Sequence, residues 1–335
     1  MSERNWNILE SKARPKRNLL ITILKFTISA ALVAIILNRI GLDSILFRLR
    51  HANWWYVLIG IVCFAVSNIM GSFQWFLLLR SQDIAVRFRQ VLSYYHVGLF
   101  FNNFLLGYVG GDAFRIYDIT KTSGNSTAAL STVIFDRFIG FLSLTSMALI
   151  VALIGIQLLT VVNTVYFIAI IMAAWLLGLY LLFNEKAARF LIKHVKHFIP
   201  SVVFNKTRDV YKAINYFRHK KGLMTKVLVV SLCVQALRVI VHFWAARAVG
   251  VETNVMFFFM FVPIIAMAAS LPISMGGIGV REQSGVSMFA SIGVAASQVV
   301  SFEFLAYLVA IIATVPGGIL FAFRKETCKG FSAKS

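Results

Sequence analysis

Apolar runs at Leu19–Leu37, Trp54–Leu79, Thr132–Leu159, Val161–Phe183, Val227–Val249, Val255–Ala269 and Phe302–Phe323 recur along this sequence. Most reach or approach the roughly 20 residues that a helix needs to cross a hydrocarbon layer of ~30 Å. With 59% hydrophobic residues, 14% charged residues and a mean hydropathy of +0.80, the chain carries more apolar surface than a water-soluble core can use. The expected fold class is therefore an all-α membrane protein, a polytopic helical bundle of seven or eight spans. Trp54, Trp55, Tyr56 and Trp244 fall near run ends, where amphipathic rings favour the membrane interface.

The charge pattern reads as topology. The net charge of +20 comes from 33 Lys and Arg against 13 Asp and Glu, and the basic residues sit between apolar runs instead of in one soluble domain. That distribution argues against nucleic-acid binding. It fits loops retained in the cytoplasm, where they meet anionic headgroups. The organisation expected is a basic cytoplasmic lead over 1–18, a membrane domain over 19–323 and a basic cytoplasmic tail over 324–335. A basic cytoplasmic loop over 184–226, with interfacial amphipathic helices, divides the membrane domain into halves at about 19–183 and 227–323. A signal peptide at the start is disfavoured, because the first run is long for one and ends in Asn38-Arg39 without a small-residue cleavage pattern. Cys63, Cys233 and Cys328 have no metal-type spacing, so neither a metal nor any other cofactor is expected.

Two glycine-rich breaks carry the most information. Val91–Val109 is apolar enough to enter the membrane, but Asn102, Asn103, Gly107, Gly110 and Gly111 interrupt it. Irregular backbone at membrane depth is tolerated only where protein or water covers it, so a broken or re-entrant helix is expected. A second break lies at Gly276 and Gly277, and hydropathy leaves open whether Val280–Val300 then crosses or dips and returns. Gly110-Gly111-Asp112-Ala113-Phe114-Arg115 and Gly276-Gly277-Ile278-Gly279-Val280-Arg281 share the spacing GGxxxR. Arg137 and Glu303 each follow 22 residues after those arginines. An internal repeat is the expected cause.

A charge inside an apolar segment costs several kcal/mol and needs a partner, water or a function. The candidates are Asp112, Arg115, Asp136, Arg137, Arg238, Arg281, Glu282 and Glu303. Guanidinium groups stay charged in any protein setting and fork onto phosphate oxygens, and glycines beside them admit backbone N–H groups to the same anion. On this reading Arg115, Arg137 and Arg281 hold a phosphate headgroup and Asp112, Asp136 and Glu282 orient them. Asn102, Asn103, Gly110, Gly111, Gly276, Gly277, Arg238 and Glu303 complete the candidate substrate-binding set. The plainer alternative is that Asp136-Arg137 and Arg281-Glu282 are adjacent pairs that neutralise one another. No water-facing cluster of Asp, Glu or His suggests catalysis, so the chain is not expected to be an enzyme.

The segments Gly110–Arg115, Asp136-Arg137-Phe138-Ile139-Gly140 and Leu271-Pro272-Ile273-Ser274-Met275-Gly276-Gly277-Ile278-Gly279-Val280-Arg281-Glu282 resemble the flippase-like family of the lysylphosphatidylglycerol synthase transmembrane region. The resemblance spans nearly the whole chain. It implies a multi-pass protein of the inner cell membrane, N-terminus cytoplasmic, that moves an anionic phospholipid or lipid-linked sugar between leaflets. The aminoacyltransferase domain of bifunctional relatives is not expected here. Glu303 departs from the family, standing where many members carry arginine, so it could pair with Arg281 or favour a cationic lipid. The alternatives are a membrane enzyme acting on a polyprenyl-phosphate lipid, or an accessory subunit of envelope lipid or polysaccharide synthesis. A second copy of the chain is a further candidate partner.

Overall fold

The computed structural model describes residues 42–104, 109–154, 170–178, 220–271 and 277–323, with Tyr180, Asn184, Tyr211, Asn215, Phe217 and Ser274. In chain order its helices are α1 (Leu42–Arg50), α2 (Trp54–Ser81), α3 (Phe88–Phe104), α4 (Val109–Ser123), α5 (Ser126–Ile154), α6 (Lys221–Ala248), α7 (Val255–Ser270), α8 (Val280–Ala290) and α9 (Ala296–Ala322). Residues 170–178 are also helical. The expected all-α polytopic architecture is thus the one the chain adopts. Among the described residues four helices, α2, α5, α6 and α9, are long and apolar enough to cross a membrane. The expected first span, most of the 184–226 loop, the basic tail and Gly107 lie outside the described residues.

Burial runs opposite to that of a soluble helix. On α2, Trp55, Ile59, Val62, Val66, Ile69 and Phe73 are exposed at steps of three or four, while Ser67, Asn68, Gly71, Ser72 and Trp75 are buried. The large apolar side chains face lipid, and small or polar residues let helices approach closely inside. Trp175 from the 170–178 stretch stacks on Phe141 with ring centroids 5.5 Å apart and ties that stretch to α5.

The two halves have the same plan. The starts of α2, α3, α4 and α5 (54, 88, 109, 126) precede those of α6, α7, α8 and α9 (221, 255, 280, 296) by 167 to 171 residues. Equivalent helices run in opposite directions. The Asn53 N–H at the start of α2 donates to the Ala248 carbonyl at the end of α6 (2.9 Å), and Lys220 Nζ at the start of α6 donates to the Ser81 carbonyl at the end of α2 (2.8 Å). The packing between halves repeats as well: α3 lies on α9 and α7 lies on α5. Asn103 Nδ2 donates to Thr314 Oγ1 across the first contact (2.7 Å), and Thr145 meets Met267 Sδ across the second (3.6 Å). The two halves are therefore related by inversion, the arrangement in which alike halves enter the bilayer from opposite sides.

Each half contributes one hairpin that enters and returns. The α3–α4 hairpin opens toward the Lys220 face, and Tyr94 Oη near the start of α3 lies 3.1 Å from Thr122 Oγ1 near the end of α4. The α7–α8 hairpin opens toward the Trp54 face, with Phe289 of α8 packed on Phe258 of α7 (5.0 Å) and Phe302 of α9 (5.1 Å). Val255–Ala269, expected as a span, is instead the inward arm of this hairpin: 16 residues cover only roughly 24 Å before α8 turns back. Val280–Val300 accordingly dips and returns through α8, and α9 then makes the crossing.

Glycine is required where the hairpin arms touch or turn. A Cβ on Gly111 would run into the Gly98 carbonyl, so α3 and α4 can cross at this distance only without one. Gly277 and Gly279 have φ of 76° and 84° at the second break, a region that side chains disfavour. We expect Gly111→Ala to cost on the order of 1–3 kcal/mol by prying the arms apart. Gly222→Ala, at a helical position open to space, should be neutral. Thermal unfolding of the detergent-solubilised protein checks the contrast, and equal melting temperatures would refute the close crossing.

Candidate functional site

Four charged side chains from α4 and α5 form a closed network. Arg115 donates through Nη1 to Asp112 Oδ1 (3.1 Å) and through Nη2 to Asp136 Oδ2 (2.8 Å). Arg137 Nε donates to Asp112 Oδ2 (2.7 Å), and Gln74 Nε2 of α2 donates to Asp136 Oδ1 (2.8 Å). One helical turn brings Asp112 and Arg115 to the same face of α4, and the α4–α5 packing supplies the other two. The alternative in which Asp136 is neutralised by the adjacent Arg137 gives way to a crossed pairing, in which each acid holds the arginine of the opposite helix. Two acids and two bases sum to zero, which is what makes four charges tolerable at this depth.

The two arginines of this network differ in access. Arg115 has a side chain only 4% exposed, and its guanidinium lies over the Trp75 ring (4.2 Å) and the Tyr95 ring (4.7 Å). Two carboxylates and two aromatic faces enclose it, so its expected role as a phosphate ligand gives way to holding α4 against α2, α3 and α5. Arg137, with its side chain 33% exposed, turns its outer part toward open space.

That space is a cavity of about 210 Å³ between the two halves. Arg115, Arg137, Arg238 and Arg281 all reach its wall, with Asp136, Asn102 and Asn103, so the two GGxxxR motifs do converge on one volume. Arg281 lies 5.2 Å over the Tyr307 ring, and Arg238 Nη2 reaches Tyr95 Oη at 3.5 Å. Arg238 Nε and Gln74 Oε1 are buried with no hydrogen-bond partner. Much of the remaining wall is apolar, including Phe141, Leu144, Val234, Val262 and Ile265. A cationic, amide-bearing zone beside an aliphatic one suits an amphiphile with an anionic head.

Other expected residues serve the frame. The Gly111 N–H is taken by Asn102 Oδ1 (2.9 Å), so it fixes the α3–α4 crossing and is not offered to an anion. Gly110 sits half-buried in the first turn of α4, Gly277 turns the second break and Gly276 is outside the described residues. Glu282 was expected to orient an arginine, but its Oε2 accepts the Gly279 N–H (2.6 Å) and caps α8. Asn103 bonds Thr314 through its side chain and accepts from Tyr307 Oη (3.0 Å) through its carbonyl. Glu303, weighed as a partner of Arg281 or a selector of cationic lipids, is fully buried off the cavity wall and meets His242 Nδ1 at 3.2 Å.

Sequence reasoning missed Gln74, Gln235, Tyr95 and Tyr307, all on the cavity wall. The glutamines carried a signal, since an uncharged amide inside an apolar run also needs a partner. The tyrosines did not, because a ring in such a run looks like any lipid-facing aromatic.

Comparison with known proteins places these features in a wider set. The family described as the lysylphosphatidylglycerol synthase TM region matches residues 22–319. A UPF0104 membrane protein of Pyrococcus horikoshii is 25% identical over 323 residues, covering 88% of this chain and 94% of the relative. A second, from Methanothermobacter thermautotrophicus, is 22% identical, covering 90% and 92%. A third, from Methanocaldococcus jannaschii, is 23% identical over 229 residues, covering 63% and 66%.

Removing one member of a buried charge network strands the others, which costs about 3–5 kcal/mol. Arg115→Ala should therefore lower the unfolding temperature sharply, while Arg137→Ala, partly open to the cavity, should lower it much less. Melting curves of both variants in detergent test this. The reverse order would remove the division between the framing and the cavity-facing arginine.

Proposed function

Since this chain belongs to the lysylphosphatidylglycerol synthase transmembrane-region family, we propose that it moves a lipid with an anionic phosphate headgroup between membrane leaflets. The observation that carries the reading is the meeting of four arginines from both halves at one cavity that is also lined by aliphatic side chains. Arg137, Arg238 and Arg281 bind the headgroup, Asn102 and Gln235 add donors, and the apolar wall takes the start of the acyl or prenyl chain. Lipid-linked sugar phosphates present the same chemistry and fall within the class.

The inverted plan supports alternating exposure of this site. Hairpins that enter from opposite faces and line one cavity can each act as the barrier on its own side. The Lys220 face, with Arg80, Arg87, Arg89 and Lys221 near it in sequence, is cytoplasmic in this reading by the retention of basic residues. No covalent chemistry is part of it, because Asp136 on the cavity wall and Asp112 in the same network are held by arginines.

Reconstitution in liposomes with fluorescent phosphatidylglycerol in one leaflet tests the proposal. Native protein should speed leaflet exchange of phosphatidylglycerol well beyond that of phosphatidylcholine. Arg137→Ala and Arg281→Ala should each slow it by about ten- to a hundredfold, the worth of one charge-assisted contact of 1.5–3 kcal/mol. Exchange no faster than in protein-free liposomes, or equal rates for native and both variants, would end the proposal.

A further inference from the structure

The second half carries an ionisable pair that the headgroup site does not use. Glu303 of α9 is fully buried, His242 Nδ1 of α6 lies 3.2 Å from its Oε1, and its Oε2 has no hydrogen-bond partner. A carboxylate oxygen left bare is costly in a low-dielectric interior, and a proton taken up by the pair is one way to relieve that cost. His242 is 18% exposed and stands on the cavity wall, which gives that proton a route to water. The groups around the pair come from each element packed on α9. Arg238 sits one turn before His242 on the same face of α6. Arg281 of α8 lies over the ring of Tyr307, one turn after Glu303 on α9, and Glu282 beside it caps α8. On α3, His96 packs against the far part of α9 at Gly317. On α2 the titratable and charged side chains are Tyr56, Cys63 and Arg80, and Asp43, Arg48 and Arg50 of α1, with His51 just after it, lie toward the Trp54 face.

We propose that Glu303 and His242 form a proton-binding site coupled to the anion site, so that a proton and an anionic headgroup bind together. The inference rests on the transport reading and adds its energy source. With its proton the pair is neutral. Without it the pair carries one negative charge close to Arg238 and Arg281, where it competes with the headgroup for the same cations. A bound phosphate diester therefore raises the proton affinity of the pair, and by reciprocity the proton raises the affinity for the phosphate by the same factor. A monoanionic headgroup and one proton then cross as a neutral load, and a proton gradient drives the exchange.

Two measurements on the full-length protein decide it. In weakly buffered detergent near neutral pH, adding phosphatidylglycerol should draw a proton onto native protein, seen as a rise in bulk pH. Glu303→Gln and His242→Gln should draw none. In liposomes held at one pH on both sides, phosphatidylglycerol exchange by native protein should rise as pH falls, by up to about tenfold per unit, the limit for one linked proton. Glu303→Gln should exchange at a rate independent of pH. Should that variant fail to fold, His242→Gln answers the same question through both readouts. Lipid binding without proton uptake by native protein, or an unchanged pH profile in a folded variant, overturns the coupling while leaving transport intact. Proton uptake with no exchange at any pH leaves a coupled binding site and overturns transport.

Discussion

A charge or an unpaired backbone group has nowhere to go in hydrocarbon, and the arrangement of this protein follows from that constraint. The crossed network of Asp112, Arg115, Asp136 and Arg137 satisfies it for the first half, by joining α4 to α5 through two shared carboxylates. Because each acid holds the arginine of the other helix, the network only closes when the α3–α4 hairpin is fully docked. Trp75 and Tyr95 then cover Arg115 with ring faces that prefer a cation to water. The cost of burying four charges is thereby converted into a demand for one packing arrangement.

Much of the architecture was legible from the sequence because spanning a bilayer is mainly a matter of apolar length. Trp54–Leu79 and Val227–Val249 each became one long helix, α2 and α6, with ends shifted by a few residues. Val255–Ala269 misled for the same reason: hydropathy measures how well a segment enters lipid and says nothing about whether it leaves on the far side. The GGxxxR motif revealed two equivalent breaks, but a motif reads the same in a parallel or an inverted copy. Direction became visible only through the contacts of Asn53 with Ala248 and Lys220 with Ser81.

The candidate site divides in the same way. Residue type and depth singled out the arginines, and all four meet at one cavity. Their separation into an enclosed Arg115 and a cavity-facing Arg137 depends on which acid each one reaches across a helix interface. Sequence neighbours pointed instead to Asp136 with Arg137 and Arg281 with Glu282. Glu282 went unrecognised as a helix cap because its acceptor role depends on the left-handed turn at Gly279.

Where the halves differ matters as much as where they agree. Two identical inverted halves would present the same energy profile to both sides of the membrane, so any preference must arise at positions the duplication has altered. Counting 166 residues on from the first network, Arg115 meets Arg281, but Asp112 meets Ile278, Asp136 meets Phe302 and Arg137 meets Glu303. Trp75, which covers Arg115, has His242 in its place at an offset of 167. The first half thus holds charges that cancel within themselves, whereas the second sets a buried acid against an imidazole. Glu303 lies on α9 and His242 on α6, so this pair stands outside the α7–α8 hairpin, whereas Asp112 and Arg115 belong to α4 itself. On the transport reading, an asymmetry of that kind is what lets two inverted halves favour one direction.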